Sequence, residues 1–263
     1  MPAYLETIID AHRARAARDA RDTDEALERA SRCGPTRPFA EAIRQAADAR
    51  GMAVISEIKR RSPSKGDLDP GLDPAAVAID YEAGGAACLS VLTDGEFFGG
   101  GAEDLRAASR ACSLPVLRKD FTVSALDVCD ARTMGADAVL LIVAALSDVE
   151  LASFLELSTQ LSMSALVEVH DEAELKRALA SGARLIGVNQ RDLHTFEVDR
   201  HRALSLAEMM PPDVVAVAES GIRTAADVSS LAGAGYQGVL VGETLVRSGD
   251  RRAAVAELVG ALR

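Results

Sequence analysis

The chain has 263 residues, of which 48% are apolar, so it can bury the core of one large domain or two small ones and is not disordered or fibrous. Its 29 Lys and Arg residues against 40 Asp and Glu residues give a net charge of −11, which argues against a generic nucleic-acid or anionic-membrane surface. The longest apolar stretch, 138–146, is shorter than the roughly 20 residues of a membrane span, and we expect a soluble protein.

The N-terminal region and the cysteines indicate the cellular compartment of the protein. Residues 1–30 carry charges throughout and lack the apolar core and cleavage site of a secretory signal, so we expect a cytoplasmic protein. Cys33, Cys88, Cys112 and Cys129 are scattered, with no CxxC pair and no neighbouring histidine. We therefore predict reduced structural thiols, without a zinc site or a disulfide framework.

After the first fifth of the chain, one pattern recurs: a short β-branched run, a polar loop and a longer segment with helical apolar spacing. The predicted strands are 52–58, 87–92, 115–119, 137–143, 164–169, 184–188, 214–218 and 237–241. The predicted helices are 73–83, 102–112, 124–133, 148–161, 171–180, 200–209, 224–232 and 250–262, with two more near 3–19 and 38–50. Ser147, Asp171 and Thr224 are suitable N-cap residues.

Continuous apolar strands are typical of a parallel sheet buried on both faces, and eight βα units in about 210 residues match a closed barrel. We predict an α/β protein, a (β/α)₈ TIM barrel, in which residues 1–263 form one domain and 1–50 are an N-terminal helical extension. An open doubly wound sheet is the alternative. It is weakened because the first βα junction, EIKRRSPSKGD, lacks GxGxxG, and no Walker loop occurs elsewhere.

Polar residues end six of the eight predicted strands, where a barrel places its active site. They are Glu57 and Lys59, Arg118 to Asp120, Glu168, Asn189 to Asp192, Glu219, and Gly242 with Glu243. A solvated strand end explains any one of them taken alone, but six strands together favour a site. Lysines and glutamates facing each other in a barrel mouth acquire shifted pKa values and can transfer protons at neutral pH.

Two glycine junctions favour a phosphate site. Ser220-Gly221 and Gly242 follow the last two strands, where many barrels bind phosphate through backbone N–H groups. Arg191 can add a bidentate donor. Tight turns without a ligand are the alternative.

The aromatic pair Phe97 and Phe98 lies beside a glycine run in the loop 92–101. It indicates either a lid or wall for a flat ring, or an apolar plug beneath the loop. Among the histidines, His170 lies beyond Glu168 on the same strand face and can support it. The other three, His12, His194 and His201, have the character of ordinary surface residues.

The segments SEIKRRSPSKG, SVLTDGEFFGG, LRKDF, GADAVLLIV, LVEVHD, GVNQRDL, VAESGI and LVGETLV occur in this order. Together they resemble the indole-3-glycerol phosphate synthase family of tryptophan biosynthesis, and the helical extension also fits that family. The resemblance implies a (β/α)₈ barrel that converts 1-(2-carboxyphenylamino)-1-deoxyribulose 5-phosphate into indole-3-glycerol phosphate, CO₂ and water. It implies no metal and no organic cofactor.

The resemblance also implies roles for the strand-end residues. Lys119 is similar to the general acid that protonates the substrate carbonyl, and Lys59 to the lysine that holds the anthranilate carboxylate and can act as a later acid. Glu168 is similar to the general base or charge stabiliser. Three residues match the family's polar contacts to the sugar: Glu57, Asn189 and Glu219. The positions that match its phosphate contacts are Ser62, Arg191, Ser220, Gly221 and Gly242. The positions that match its apolar walls for the aryl ring are Phe98, Phe121 and Leu193.

A lysine can protonate the carbonyl as the carbon–carbon bond forms if its pKa is lowered, and we expect a lowered pKa for Lys119. The sequence departs from the family pattern at Gln190, where Asn or Ser is usual, and at Gly99, where a polar residue is usual. These changes affect loop mobility and substrate contacts more than the reaction type. Glu243 brings a negative charge near the phosphate, and we expect its side chain to point away.

Three alternatives stay open. A barrel of the phosphoribosylanthranilate isomerase type would use a cysteine and an aspartate, and Glu57 and Lys59 at the first strand disfavour it. A catalytically silent binding barrel is disfavoured by the presence of Lys119 and Glu168. A duplicate synthase of a secondary-metabolite pathway would have the same residues. For the synthase, which we favour, we expect a small phosphorylated substrate, no nucleic-acid or membrane partner, and a monomer or weak homo-oligomer.

Overall fold

Eight parallel strands close into a barrel in the computed structural model, which describes residues 4–63, 65–192 and 197–262. Numbered in chain order, the barrel strands are β1 (Ala53–Ile58), β2 (Cys88–Leu92), β3 (Val116–Lys119), β4 (Ala138–Ile142), β5 (Ser164–Val169), β6 (Leu185–Asn189), β7 (Val215–Glu219) and β8 (Gly238–Val241). Each pairs in parallel with the next, and β1 pairs with β8 from Ala53 opposite Gly238 onward, which closes the sheet. The predicted barrel is confirmed, and every predicted strand end lies within one residue of the observed one.

The strands are almost wholly buried because side chains fill the interior and helices cover the outer face. The helices are α1 (Tyr4–Ala16), α2 (Thr23–Ser31), α3 (Phe39–Arg50), α4 (Pro74–Gly84), α5 (Ala102–Ala111), α6 (Ala125–Met134), α7 (Asp148–Gln160), α8 (Glu172–Ala180), α9 (His201–Ala207), α10 (Ala225–Gly233), α11 (Glu243–Val246) and α12 (Arg251–Val259). Ser147, Asp171 and Thr224 accept the expected N-cap hydrogen bonds. Within the described ranges, no helix is long and apolar enough to cross a membrane.

Four elements were not predicted: α2, α11, a short 3₁₀ helix (Val143–Ala145) and a small hairpin that pairs Arg61–Ser62 with Gly66–Asp67. The buried face of α2 consists of Ala26 and Ala30, too small to produce a clear apolar period. The hairpin follows β1 at the carboxyl end of the barrel.

The N-terminal helices cover both ends of the barrel. In α3, Phe39 and Ile43 are fully buried, and Ile43 packs where β8 begins, at Gly238, so this helix closes the amino end of the barrel. At the carboxyl end, α1 contributes Leu5 and Ile8 to the wall of the barrel mouth.

Candidate active site

A cavity of about 280 Å³ opens at the carboxyl ends of the strands. Thirteen of the fourteen residues selected from the sequence line it: Glu57, Lys59, Ser62, Phe98, Lys119, Phe121, Glu168, Asn189, Arg191, Glu219, Ser220, Gly221 and Gly242. The fourteenth, Leu193, lies outside the described residues, as does His194. Residues from seven loops and strand ends therefore meet in one chamber, as the carboxyl face of a barrel dictates.

Lys119, the last residue of β3, lies between two carboxylates. Its Nζ is 2.8 Å from Glu168 Oε2 and 3.2 Å from Glu219 Oε2. Burial by itself lowers the pKa of Lys119, but the charges of Glu168, Glu219 and Glu57 outweigh it, so the pKa is raised above its ordinary value. The expectation of a lowered pKa is wrong: the three carboxylates favour the protonated form of Lys119.

Glu168, on β5, is held on three sides. Besides its ion pair with Lys119, it accepts a 3.0 Å hydrogen bond from Asn189 Nδ2, and His170 Nε2 lies 3.4 Å from its Oε1. Burial opposes ionisation of Glu168, but the charges of Lys119 and His170 prevail and its pKa is lowered. His170 is anchored by Glu174 at 3.0 Å from Nδ1, and the two glutamates raise the pKa of His170 to about 9 although burial lowers it. His170 thus lies where the sequence predicted support for Glu168.

Glu219, at the end of β7, has a different environment. Among the residues that the structure describes, nothing donates a hydrogen bond to its buried Oε1 atom. Burial raises the pKa of Glu219 to about 7; Lys119 opposes this rise and Glu168 adds to it. Gly187 on β6 leaves room for this carboxylate, because a Cβ atom at that position would overlap Glu219 Oε1.

Lys59 forms an ion pair with Glu57 at the end of β1, and both side chains are largely buried. Gly242, after β8, faces this pair, and a Cβ there would overlap Glu57 Oε1. The Glu57 carboxylate is therefore sufficient to require glycine at position 242, whether or not a ligand also binds there.

The end of the cavity where the sequence predicts phosphate binding combines glycines with cations. Ser220 and Gly221 both have left-handed backbones, with φ of 66° and 76°. Gln190, the departure noted in the sequence, is buried and donates a 2.8 Å hydrogen bond from Nε2 to the Ser220 carbonyl, which holds this turn in place. Sequence reasoning missed Arg223, Thr244 and Arg247, which line the same cavity. Glu243 also lines it, and its carboxylate is 4.0 Å from Arg247 Nε.

The opposite end of the chamber is apolar. Phe98 and Phe121 lie 6.2 Å apart between ring centroids, tilted by 37°, and both line the cavity. The loop after β2 therefore forms a wall of the chamber. Other apolar residues that line the cavity and were not selected from the sequence include Leu5, Ile8, Leu140 and Ile142. Flat aromatic rings fit surfaces of this composition.

His12 was wrongly predicted to be a surface residue. It is 4% exposed, and its Nε2 lies 3.0 Å from Asp94 Oδ2 and 3.9 Å from Asp120 Oδ1. The three potential metal-ligating atoms lie within 4.8 Å of one another. All four carboxylate oxygens already accept hydrogen bonds, from His12, Thr93, Arg118 and backbone N–H groups, so we assign the cluster to hydrogen bonding.

Comparison with known proteins identifies relatives along nearly the whole chain. The family model described as indole-3-glycerol phosphate synthase matches residues 5–258. A protein of that name from Kineococcus radiotolerans is 52% identical over 248 residues, which cover 94% of this chain and 90% of that protein. Another from Mycolicibacterium vanbaalenii is 51% identical over 259 residues, covering 98% of this chain and 94% of that protein.

Two solved structures share the fold at low sequence identity. A 3-hexulose-6-phosphate synthase has a TM-score of 0.62 and 18% identity, covering 81% of this chain and 100% of that one. A thiamine phosphate pyrophosphorylase from Pyrococcus furiosus has a TM-score of 0.61 and 17% identity, covering 81% of this chain and 96% of that one.

Proposed function

The chain belongs to the indole-3-glycerol phosphate synthase family, and on this premise we propose that it is a carboxy-lyase that closes the indole ring in tryptophan biosynthesis. It converts 1-(2-carboxyphenylamino)-1-deoxyribulose 5-phosphate into indole-3-glycerol phosphate, CO₂ and water. The observation that carries the proposal is the contact of Lys119 with Glu168 and Glu219 inside a chamber with one aromatic and one cationic end.

The two ends of the chamber orient the substrate. We place its phosphate at the turn of Ser220 and Gly221, with Gly242, Arg191 and Ser62 around it, because backbone N–H groups and a guanidinium bind phosphate oxygens. The aryl ring then packs against the wall formed by Phe98 and Phe121. Lys59 is placed to bind the aryl carboxylate. In this orientation the ketone carbon is brought to Lys119, and Glu57, Asn189 and Glu219 face the sugar hydroxyls.

Ring closure begins when the aryl carbon that bears the carboxylate attacks the ketone carbon. The ketone oxygen becomes alkoxide-like as the bond forms, and Lys119 donates its proton to it. The raised pKa of Lys119 keeps this proton in place until the oxygen is basic enough to take it. The substrate nitrogen carries the resulting positive charge, and loss of CO₂ returns the electron pair of the broken bond to the ring.

Dehydration needs a second acid and a base. We assign protonation of the leaving hydroxyl to Lys59, which yields water, and removal of the proton from the neighbouring carbon to Glu168. The lowered pKa of Glu168 keeps it ionised and able to accept that proton. Lys119 and Lys59 each give one proton and Glu168 receives one, so the reaction consumes one proton overall, which balances the carboxylate lost as CO₂.

The proposal is tested by following indole fluorescence after mixing the substrate with wild-type protein, with Lys119→Ala and with Lys176→Ala. The chain has no tryptophan, so the protein background is low. Lys176 is an exposed lysine on α8 and serves as the matched control. We expect turnover by the wild type and by Lys176→Ala, and a loss of at least about 100-fold in Lys119→Ala. Absence of turnover by folded wild-type protein would contradict the proposal and favour a binding barrel.

We also propose that the protein acts in the cytoplasm on this small phosphorylated molecule, as a monomer or a weak homo-oligomer. Its four cysteines are free, which suits a reducing compartment. Three of the large apolar side chains exposed within the described ranges, Ile79, Val149 and Leu204, lie on separate helices. Sedimentation equilibrium tests the oligomeric state: a species near 27.6 kDa supports the proposal, and a stable dimer at micromolar concentration contradicts it.

A further inference from the structure

His12 is the buried junction between the N-terminal helix and two loops of the barrel mouth. Asp94 follows β2 and Asp120 follows β3, so the contacts of His12 join α1 to both loops. The exposed fractions of the three residues are 4%, 1% and 5%. A buried polar group without a hydrogen-bond partner destabilises the folded protein, so three buried polar groups in contact constrain one another's positions.

Each aspartate fixes the backbone of one aromatic wall. Asp94 Oδ1 accepts hydrogen bonds from the backbone N–H groups of Phe97 at 2.6 Å and Phe98 at 3.1 Å. Asp120 Oδ1 accepts one from the N–H of Phe121 at 2.9 Å. The placement of both rings in the cavity therefore depends on the orientation of these two carboxylates.

His12 acts on this arrangement in two ways. Its Nε2 donates to Asp94 Oδ2, which holds the carboxylate with its other oxygen toward Phe97 and Phe98. Its imidazole ring also packs on Phe121, with 5.3 Å between the ring centroids. The hydrogen bonds from His12, Phe97 and Phe98 outweigh the effect of burial and hold the pKa of Asp94 below its ordinary value, so the acceptor is ionised.

Asp120 has other partners that hold it without His12. Arg118 Nη2 donates to its Oδ2 at 2.9 Å, and the Thr93 hydroxyl donates to the same oxygen. Asp94 has only backbone donors besides His12 among the described residues. The loop that carries Phe98 is therefore the one whose position depends most on His12.

We propose that His12 is a positioning residue for the aryl end of the substrate: it holds Phe98 through Asp94 and Phe121 through ring contact, so that the two rings form one apolar wall for a flat ring. This inference rests on the proposed function, because that function places the aryl ring against the two phenylalanines. The proposal concerns binding of the aryl ring and leaves the proton transfers of Lys119, Lys59 and Glu168 unchanged.

The test compares His12→Leu with His12→Gln in steady-state kinetics. Leucine keeps apolar volume and removes the donor, whereas the glutamine Nε2 can take the place of the imidazole Nε2. For His12→Leu we expect KM to rise about tenfold while kcat stays within about threefold. His12→Gln should restore KM to within about threefold of the wild-type value.

Arg13→Ala is the matched control. Arg13 is the next residue on α1 and ties that helix to the barrel through Glu150 at 2.9 Å and the Ala145 carbonyl at 2.7 Å, away from the aromatic walls. Its loss should lower the thermal midpoint without raising KM. If Arg13→Ala raises KM as much as His12→Leu, the effect is detachment of α1 in general, and the inference is wrong.

The remaining outcomes are equally decisive. An unchanged KM in folded His12→Leu, or a glutamine variant as impaired as the leucine variant, contradicts the inference. If His12→Leu does not fold, His12→Asn replaces it, since the shorter amide cannot reach Asp94 and should raise KM in the same way. Inactivity of the wild type would instead overturn the proposed function, so the two failures are distinguishable.

Discussion

Lys119 and Glu168 form a 2.8 Å ion pair between the carboxyl ends of β3 and β5, two strands that both flank β4. Inward side chains of alternate strands lie in the same layer of a barrel, which explains why residues 49 positions apart meet. The pair is largely buried, and the raised pKa of Lys119 and the lowered pKa of Glu168 favour a protonated lysine beside an ionised carboxylate. The proposed acid of the first step and the proposed base of the last are thus in direct contact.

Replacing Glu168 by glutamine removes the base and one of the charges that keep Lys119 protonated. We expect kcat to fall by at least about 100-fold, with KM changed by less than about threefold, because the phosphate and aryl ends are untouched. Steady-state measurement of indole formation at pH 7 checks this. Glu172→Gln, an exposed substitution on α8, is the control and should leave both constants unchanged. Wild-type kcat in Glu168→Gln would remove this residue from the mechanism.

Gly187→Ala tests the position of Glu219 without altering any ionisable group. The new methyl group would overlap Glu219 Oε1 and also lie 3.3 Å from Leu166 Cδ1, so the carboxylate has to move away from its place beside Lys119. We expect kcat to fall about tenfold or more and the thermal midpoint to drop by several degrees.

Gly233→Ala is the matched control for this substitution. Gly233 is the last residue of α10, and no atom lies within 4 Å of the position of an added Cβ. Alanine there should leave kcat unchanged and stabilise the protein by up to about 1 kcal/mol, since glycine is the poorer helix former. Equal activity of the two alanine variants would show that the position of Glu219 does not matter for turnover.

The barrel and the strand-end residues were predictable because both follow from local patterns. Continuous apolar runs specify strands buried on both faces. Because parallel strands all end at the same side of the barrel, a charged residue that ends such a run lies at the barrel mouth. No long-range information is needed to place Lys119, Glu168 and Glu219 on one face. Their mutual distances, however, follow only from the closure of the barrel.

The contribution of α1 was not predictable in the same way. His12 contacts Asp94, 82 positions away, and nothing in the neighbouring sequence distinguishes it from an exposed histidine on a charged helix. The pKa of Lys119 was mispredicted for a related reason. The positive charge of Lys59, which ends another strand of the barrel, would lower the pKa of Lys119 if the two lysines faced each other. In the structure Lys59 pairs with Glu57, and Lys119 faces carboxylates.

The raised pKa of Glu219 predicts a pH dependence of stability. Glu219 ionises at its ordinary value of about 4.5 in the unfolded chain and at about 7 in the folded protein, so the folded state binds more protons between these values. This group therefore makes the free energy of unfolding fall as the pH rises from 4.5 to 7, by at most about 3 kcal/mol. Urea unfolding of the wild type and Glu219→Gln at pH 5 and pH 7.5 measures the effect. The glutamine variant should lose less stability between the two pH values, and equal losses would contradict the raised pKa.

The ion pair of Arg37 and Asp137 predicts that the N-terminal segment and the barrel support each other's folding. Asp137, 4% exposed at the amino end of β4, accepts hydrogen bonds from Arg37 Nε at 2.8 Å and from the backbone N–H groups of Arg37 and Val116. Asp137→Ala leaves these donors without an acceptor and should lower the free energy of unfolding by about 2–4 kcal/mol.

Asp213→Ala is the control, because Asp213 pairs with Arg184 where both side chains are more than half exposed, and its loss should cost less than about 0.5 kcal/mol. Urea unfolding at pH 7 compares the variants, and kcat at 25 °C should stay at the wild-type value in both, since Asp137 lies at the end of the barrel opposite the cavity. A loss of stability no larger in Asp137→Ala than in Asp213→Ala would show that this junction does not hold the two parts together.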